Sequence, residues 1–193
     1  MAVEVAHACL EGAPVSSLLF CSRYGEYART FELLTALADQ QPLSPAAFSA
    51  SVHNTSAALC SMAEGHHGTA TAVAAGVSSL EHAFLDGWMQ LRLGEATSLV
   101  LVFHDEPLPA PYPQPPVAMP GGFALALRLV FPGNGIHANR LRLSWNARPD
   151  GWNGQDEGYG SALDLVRLLT GRLDRAACRD ARLIWTWCAH EPA

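Results

Sequence analysis

Apolar and polar residues follow two different periods along this chain. Short, nearly all-apolar runs over 15–21 and 98–103 are typical of strands in a sheet that is covered on both faces. Over 26–40 and 78–94, apolar residues instead recur every three or four positions, as they do on one face of a helix. This alternation predicts an α/β protein with a mostly parallel sheet and helices on both faces.

Weaker signals place the other elements. We expect helices over 1–10, 55–64 and 161–171, and strands over 69–75, 123–131, 141–145 and 181–188. Seven of the 13 prolines lie within 107–120, where they remove backbone hydrogen-bond donors. We therefore predict that 107–120 is a connection without regular structure.

Composition narrows the class of protein. The chain has 193 residues, which suits one domain with a sizeable core. Charged residues make up only 16% and hydrophobic residues 49%, so we expect a protein partner to cover part of the surface. The net charge of −6 argues against nucleic-acid binding, which needs clustered basic residues.

The cysteines and the hydropathy indicate a cytoplasmic protein. Five cysteines are scattered without the spacing of a metal site, and we expect them to be small buried residues in a reducing compartment. No apolar run reaches the roughly 18 residues of a membrane span. We predict no metal, no cofactor and no membrane segment.

One segment has the shape used in acyl transfer. The predicted strand over 69–75 leads through a turn of small residues, Ala74-Ala75-Gly76, into the helix over 78–94. Acyl-transfer enzymes present a nucleophile on such a bend, where the helix dipole stabilises a thiolate. Gly76 stands at the tip and carries no nucleophile.

Three segments carry a resemblance to a known family. They are Ser44-Pro45-x-x-Phe48-Ser49-x-Ser51-Val52-His53-Asn54, then Ala74-Ala75-Gly76, and then the run from Leu99 to Pro109 that ends in Asp-Glu-Pro-Leu-Pro. Together they resemble β-ketoacyl synthases. They are most similar to the ketosynthase-like chain length factors of aryl-polyene and related type II polyketide clusters. The resemblance extends from about Ser17 to Pro109.

The resemblance implies a thiolase-like fold, of which this chain has one half and a reduced remnant of the other. The whole would be one ketosynthase-like domain, with an N-terminal lobe over 1–106, the connection over 107–120 and a reduced lobe over 121–193. The catalytic Cys of a ketosynthase corresponds to Gly76. The implied role is a non-catalytic subunit that forms a heterodimer with a catalytic β-ketoacyl synthase and limits chain length in polyketide or fatty-acid-type biosynthesis. It would meet the acyl carrier protein only indirectly.

The resemblance also implies where a partner binds. The candidates for the partner and its acyl tunnel are Phe48, Val52, His53, Asn54 and Thr55. The candidates for a strand that pairs across a dimer axis are Ala70, Ala72, Ala74 and Ala75, whose small side chains allow close approach. Alternatively, 48–55 is a polar turn that satisfies its own backbone, and 69–75 is an ordinary internal strand.

Two other functions stay open. Ser78 or one of the cysteines could serve an active acyltransferase or hydrolase, although a serine at a helix start is more often a cap, as we expect for Ser78 and Ser79. The protein could also be a homodimeric scaffold. His66 and His67 precede a glycine, which favours a solvated turn over a metal or acid/base pair.

Overall fold

The structure, a computed structural model, describes residues 1–11, 15–113, 122–131, 139–149 and 160–190. Its helices are α1 (Ala2–Leu10), α2 (Tyr27–Ala38), α3 (Pro45–Ser49), α4 (Thr55–Glu64), a 3-10 turn (Gly76–Ser78), α5 (Ser79–Leu93) and α6 (Gly160–Leu169). Its strands are β1 (Ser17–Cys21), β2 (Thr69–Val73), β3 (Ser98–Asp105), β4 (Phe123–Val130), β5 (Arg140–Ala147), β6 (Arg175–Arg179) and β7 (Leu183–His190).

The first sheet has four strands in the order β2-β1-β3-β4. Strand β1 pairs in parallel with both β2 and β3, and β4 pairs antiparallel with β3. The predicted α/β class with a mostly parallel sheet is therefore confirmed. Among the described strands, β2 lies at the edge of this sheet, whereas the alternative interpretation made it an internal strand.

Both faces of this sheet are buried because successive strand residues point to opposite sides. Leu18 and Phe20 pack with residues of α1 and α4. Leu19 and Cys21 pack with residues of α5 and α6, and Leu80 is fully buried on that side. This arrangement confirms the prediction of helices on both faces.

The second sheet is antiparallel, with the order β5-β7-β6. Trp187 of β7 joins the same core as α5 and α6, so these helices lie between the two sheets. The sequence predicted β5 and β7 but not β6. Strand β4 belongs to the first sheet, and the proposed division of the chain into two lobes stays a prediction.

Helix α2 has the predicted bounds to within a few residues, but much of its apolar face is not buried. Tyr27 and Phe31 pack edge-on against Tyr112. Leu34 and Leu37 are 50% and 58% exposed, so the C-terminal half of this apolar face is not buried within the chain. An amphipathic helix that exposes its apolar side is a feature of protein interfaces.

Helix α3 was not predicted, because five residues are too few to show a period. Its start has the usual signals: the Ser44 side chain accepts a hydrogen bond from the backbone N–H of Ala47, and Pro45 lies in the first turn. The predicted proline-rich connection is described only to Pro113, and the segment over 150–159, expected to be a flexible glycine-rich loop, lies outside the described residues. No helix among the described ranges is long and apolar enough to cross a membrane.

Candidate functional site

The carboxyl ends of the three parallel strands meet at one edge of the first sheet. Strand β1 leads into Ser22, β2 into Ala74 and Ala75, and β3 ends at Asp105. In α/β proteins, ligands bind outside the carboxyl ends of the parallel strands. This edge, with the start of α5, is therefore the candidate functional site.

The tip of the predicted bend is a glycine in a left-handed conformation. Gly76 has φ of +62° and opens the 3-10 turn between β2 and α5. A Cβ atom built on Gly76 would meet no other atom within 4 Å. The tip is thus open, and the bend has the predicted strand, turn and helix, but it presents no functional group.

Ser78 is not the helix cap that we expected. Its hydroxyl donates to the Oδ2 atom of Asp180 at 2.7 Å and makes no capping bond to α5. Its side chain is only 1% exposed. A charged carboxylate is a strong hydrogen-bond acceptor, so the Ser78 hydroxyl donates to Asp180 and does not accept from a backbone N–H of α5. This geometry makes Ser78 a link between the bend and the second sheet.

Ser79 is engaged within the bend. Its hydroxyl accepts from the backbone N–H of Ala75 at 3.0 Å and lies 2.8 Å from the Gly76 carbonyl oxygen. It also lies 3.2 Å from the carbonyl oxygen of Ser22. The expected capping role is wrong here too, because these bonds join the turn to the end of β1.

Asp180 follows β6 and gathers donors from several elements. Besides Ser78, its carboxylate accepts from the backbone N–H groups of Arg182 and Leu183 and from Trp185 Nε1. Burial alone would raise its pKa, but these donors outweigh burial and lower the pKa of Asp180 to about 2. Asp180 is therefore ionised at neutral pH.

A second carboxylate organises the loop after β1. Asp105 accepts from the Ser22 hydroxyl at 2.6 Å and from the backbone N–H groups of Arg23 and Tyr24. Burial raises the pKa of Asp105 above its ordinary value, although these donors act against the rise. The side chain fixes the loop and points away from solvent, since Asp105 is buried.

His53 closes the site from the side of α4. Its Nε2 atom lies 3.2 Å from the carbonyl oxygen of Ser22, the same oxygen that Ser79 approaches. Its ring also packs on Gly25, where an added Cβ would come within 2.8 Å of His53 Cδ2. His53 is therefore a packed part of the site.

The other predicted partner residues differ in accessibility. Phe48 is 64% exposed and Val52 is 44% exposed. Asn54 is exposed, whereas Thr55 is buried at the start of α4. Phe48, Val52 and Asn54 are accessible to a partner, and Thr55 is not accessible in the isolated chain.

The predicted dimer strand lies at the free edge of the first sheet. Ala70 and Ala74 are exposed, and Ala72 and Ala75 are half-buried. Beside this edge, α4 exposes Leu59 and Met62. The predicted alanines therefore lie on a small-residue edge next to an apolar helix.

Burial raises the pKa of three cysteine thiols and hides a fourth. Burial raises the pKa of Cys9 and of Cys60, the latter to about 11, and raises that of Cys21 well above its ordinary value. Cys178 is buried and donates to the Val77 carbonyl oxygen. These are properties of structural cysteines, not of activated nucleophiles.

A buried glutamate joins α5 to the second sheet. Glu81 is fully buried, and its Oε1 atom accepts from Trp187 Nε1 at 3.0 Å. Its Oε2 atom has no hydrogen-bond partner. Burial raises the pKa of Glu81, because the charged form is poorly solvated there.

Sequence reasoning missed Glu81 and Asp180. The burial of Glu81 could have been suspected from the sequence, because Glu81 directly follows the apolar Leu80 in the first turn of α5, and both side chains are buried. Asp180 gave no signal, because its partner Ser78 is 102 positions away in the sequence. His66 Nε2 lies 3.2 Å from the Thr69 carbonyl oxygen, and the described residues contain no group of three side chains suited to a metal ion.

Comparison with solved structures shows the same architecture elsewhere. A chain of the structure described as a ketosynthase (ApeO) in complex with its chain length factor (ApeC), from Xenorhabdus doucetiae, superposes with a TM-score of 0.79 at 22% sequence identity. The superposition covers 97% of this chain and 75% of that chain. This similarity shows that the fold is the thiolase-like fold of ketosynthases. No curated protein matches the sequence.

The sequence itself matches a family over nearly all of its length. The model of the family described as "Beta-ketoacyl synthase, N-terminal domain" aligns with residues 1–188. The alignment includes the bend at Gly76 and both sheets of the structure. With this match and the shared fold, the chain belongs to the β-ketoacyl synthase, N-terminal domain family.

Proposed function

We propose that this protein is a non-catalytic ketosynthase-like subunit, a chain length factor that pairs with a catalytic β-ketoacyl synthase. The observation that carries the proposal is Gly76. Condensation by a ketosynthase needs a thiolate to hold the acyl chain. Here a bend of the same strand, turn and helix shape has a glycine at its tip, with open space around it.

The other hydroxyls and thiols near the tip support this proposal. Ser78 is buried against a carboxylate, and Ser79 is bonded to the turn. Cys21 lies at the end of β1 and is fully buried, with its pKa raised by burial, and Cys178 is buried against the Val77 carbonyl oxygen. The alternative of an acyltransferase or hydrolase would need one of these groups to become accessible.

A heterodimer is favoured by the surface beside the bend. The free edge of β2 offers unpaired backbone groups and small side chains, and an unprotected edge promotes pairing with another strand. Apolar side chains are also exposed on α4, which contacts β2, and on α2, α3 and the turn between α3 and α4. They are Leu34, Leu37, Phe48, Val52, Leu59 and Met62. Exposed apolar side chains of this kind are typical of a surface that a permanent partner covers.

Within this surface, Phe48 is our candidate for the residue that limits chain length. It is the most exposed aromatic side chain in the 48–55 segment. If it projects into the partner's acyl tunnel, a longer chain would have to overpack against it, at a cost of roughly 1–3 kcal/mol per intruding group. The product would then stop at the length that Phe48 allows.

The experiment is a reconstitution with a catalytic ketosynthase, an acyl carrier protein and malonyl units, with product length read by mass spectrometry. We expect Phe48→Ala to give longer products than the wild type. Leu93→Ala is the matched control, because Leu93 is as exposed as Phe48, at 64%, but lies at the end of α5, outside the proposed heterodimer surface. Unchanged product length with Phe48→Ala in an intact heterodimer would contradict the assignment of Phe48.

The mass of the complex purified after co-expression tests whether the heterodimer forms. We expect a one-to-one complex after co-expression with the ketosynthase, and we expect Ala70→Arg to prevent it, because a large charged side chain on the edge strand opposes pairing. A homodimer that ignores the co-expressed ketosynthase would support the scaffold alternative instead. Stoichiometric labelling of the protein by an acyl thioester would support the enzyme alternative.

A further inference from the structure

The second sheet has an inner and an outer face. Trp185 and Trp187 are buried on the inner face, where Trp187 bonds to Glu81 of α5. Neighbouring residues on a strand point to opposite sides. Ile184 and Cys188 of β7 therefore point outward, away from α5. We call the outward side of β5, β6 and β7 the outer face.

The outer face is basic. The register places Arg142 and Arg175 directly across from Cys188, one on each side of it. Arg179 lies across from Ile184 in the same way. Arg140 shares the outward side of β5 with Arg142. The described strands of this sheet contain no Asp or Glu.

This concentration departs from the rest of the molecule. All 12 basic residues of the chain are arginines, because it has no lysine, and the net charge is −6. Four of the arginines nevertheless lie on one face of three strands. Asp174 and Asp180 flank β6, but the Asp180 carboxylate is turned to Ser78 and Trp185 on the inner side. The outer face thus stays basic in a largely acidic protein.

The arginines are held at a fixed spacing. Arg142 and Arg175 are separated by two strand spacings, which is about 10 Å. Arg175 and Arg179 are four residues apart on one strand, or about 13 Å. Among the described helices, α5 and α6 pack on the inner side, and none packs on the outer face.

We infer that the outer face binds an acidic helix of a partner protein. Carboxylates seven residues apart on one side of a helix are separated by about 10.5 Å, which matches the distance between Arg142 and Arg175. Arginine also binds carboxylates through two parallel hydrogen bonds, and this fixes the orientation of the partner. A nucleic acid is a poorer fit, because four arginines make too few phosphate contacts to hold a long polyanion against the net charge of −6, whereas a helix with two carboxylates needs only the local pair of arginines.

This inference goes beyond the proposed function and does not depend on it. The outer face lies on the second sheet, whereas the proposed heterodimer surface lies on β2, α2, α3 and α4 of the first. A failure of one assignment therefore leaves the other standing. The two can be tested with separate variants.

The first experiment uses a fluorescein-labelled, alanine-based helical peptide with glutamates seven residues apart. We expect fluorescence anisotropy to detect binding to the full chain at low ionic strength, and binding should weaken steeply as salt is added. Arg142→Glu combined with Arg175→Glu should weaken binding roughly tenfold or more. The matched control, Arg29→Glu with Arg92→Glu, changes the net charge equally on other surfaces and should weaken binding no more than about twofold.

A charge swap separates loss of binding from loss of folding. A peptide with lysines in place of the glutamates should bind the Arg142→Glu/Arg175→Glu variant more tightly than it binds the wild type. If that variant does not melt cooperatively, Arg142→Gln with Arg175→Gln replaces it and should also weaken binding of the glutamate peptide. The alkylation rate of Cys188, which lies between the two arginines, reports where the peptide binds. The glutamate peptide should slow the alkylation of Cys188 but not that of Cys9.

Three results would overturn the inference. One is that the glutamate peptide fails to bind at low ionic strength. Another is that the control pair weakens binding as much as the outer-face pair. The last is that a single-stranded oligonucleotide of equal charge binds more tightly at the same Cys188-protected surface.

Discussion

The hydroxyl of Ser78 donates to the Oδ2 atom of Asp180 at 2.7 Å and so connects the bend between β2 and α5 to the second sheet. The same carboxylate accepts from Trp185 Nε1, whose ring packs edge-on against His82 of α5. His82 in turn approaches the Ser78 carbonyl oxygen through Nδ1 at 2.9 Å. The start of α5 is thus held from the side of the second sheet, which keeps the bend in shape without a catalytic group at its tip.

We predict that Ser78→Ala destabilises the protein by about 1–2 kcal/mol, because Asp180 loses one donor while its charge remains. Urea unfolding should show this as a lower midpoint with an unchanged slope. Hydrogen exchange should become faster at the amides of 76–79 and stay unchanged in α1. An unaltered midpoint would show that the Ser78–Asp180 bond does not support the fold.

Acid should weaken this link. The pKa of Asp180 is lowered to about 2 in the folded protein, although burial acts in the opposite direction, and the ordinary value is 3.8. A carboxylate with a lowered pKa contributes stability that is present above the unfolded-state pKa and is lost as pH falls through the folded-state pKa. The contribution should therefore disappear between about pH 4 and pH 2.

The measurement is unfolding as a function of pH for the wild type and for Asp180→Asn. The variant keeps an acceptor for Ser78 but cannot titrate. We expect the difference in stability between the two proteins to be constant above pH 5 and to shrink toward pH 2. A constant difference over the whole range would contradict the lowered pKa.

The sequence indicated local elements well and long-range contacts poorly. The predicted bounds of α4 are those of the structure, where Gly65 in a left-handed conformation ends the helix, and the all-apolar run over 98–103 is β3 apart from its last two residues. Strand β6, with the sequence Arg-Ala-Ala-Cys-Arg, has too few large apolar residues to show a strand period. It forms because β7 pairs with it and Cys178 is buried against the bend, and neither fact can be read locally.

The candidate site could also be predicted only in part, because its local features follow from the sequence and its long-range contacts do not. Gly76 could be placed at the tip from the pattern of strand, small residues and helix, and the structure shows its left-handed φ. The role of Ser78 could not be predicted, because helix-cap preferences consider only neighbours in the sequence. The acceptor that decides its orientation belongs to a distant turn at Asp180.

Glu81 should show the opposite pH dependence from Asp180. Burial raises its pKa, so the protonated form is favoured in the folded state. Stability from this group is then present below the unfolded-state pKa and is lost as pH rises through the folded-state pKa. We predict that Glu81→Gln, which keeps an acceptor for Trp187 but cannot ionise, gains stability over the wild type as pH rises from 4 to 8.

Glu81→Ala is the contrasting variant. It leaves the Trp187 indole N–H unpaired and creates a cavity, so it should be less stable than the wild type at every pH, by about 2–4 kcal/mol. Both variants can be followed by thermal or urea unfolding across the pH range. If Glu81→Gln instead loses stability relative to the wild type as pH rises, the pKa of Glu81 is not raised in the folded protein.

The packing of His53 on Gly25 predicts a strong coupling between these residues. Gly25 has φ of +57°, and an added Cβ would lie 2.8 Å from His53 Cδ2. Gly25→Ala should therefore cost the backbone strain of about 1–2 kcal/mol plus a steric term. Gly65→Ala, at φ of +59° with no atom within 4 Å, should cost the strain alone.

A double-mutant cycle measures the steric term. In a His53→Ala background the clash is absent, and Gly25→Ala should cost no more than Gly65→Ala does. The expected coupling energy between Gly25 and His53 is about 1–3 kcal/mol. Additive effects of the two substitutions would show that His53 does not pack on Gly25.

Gly76 offers the last prediction, since its tip is open but its backbone is left-handed. Gly76→Ala should cost about 1–2 kcal/mol from the positive φ alone, the same as Gly65→Ala, because neither added Cβ meets another atom. Gly76→Cys should cost a similar amount and should place a thiol on the surface of the bend. Iodoacetamide should then modify Cys at position 76 much faster than the fully buried Cys21, as followed by mass spectrometry of the digested protein. A Gly76→Cys thiol that resists alkylation in the folded state would mean that the tip is covered, and the open bend on which the proposed function rests would have to be abandoned.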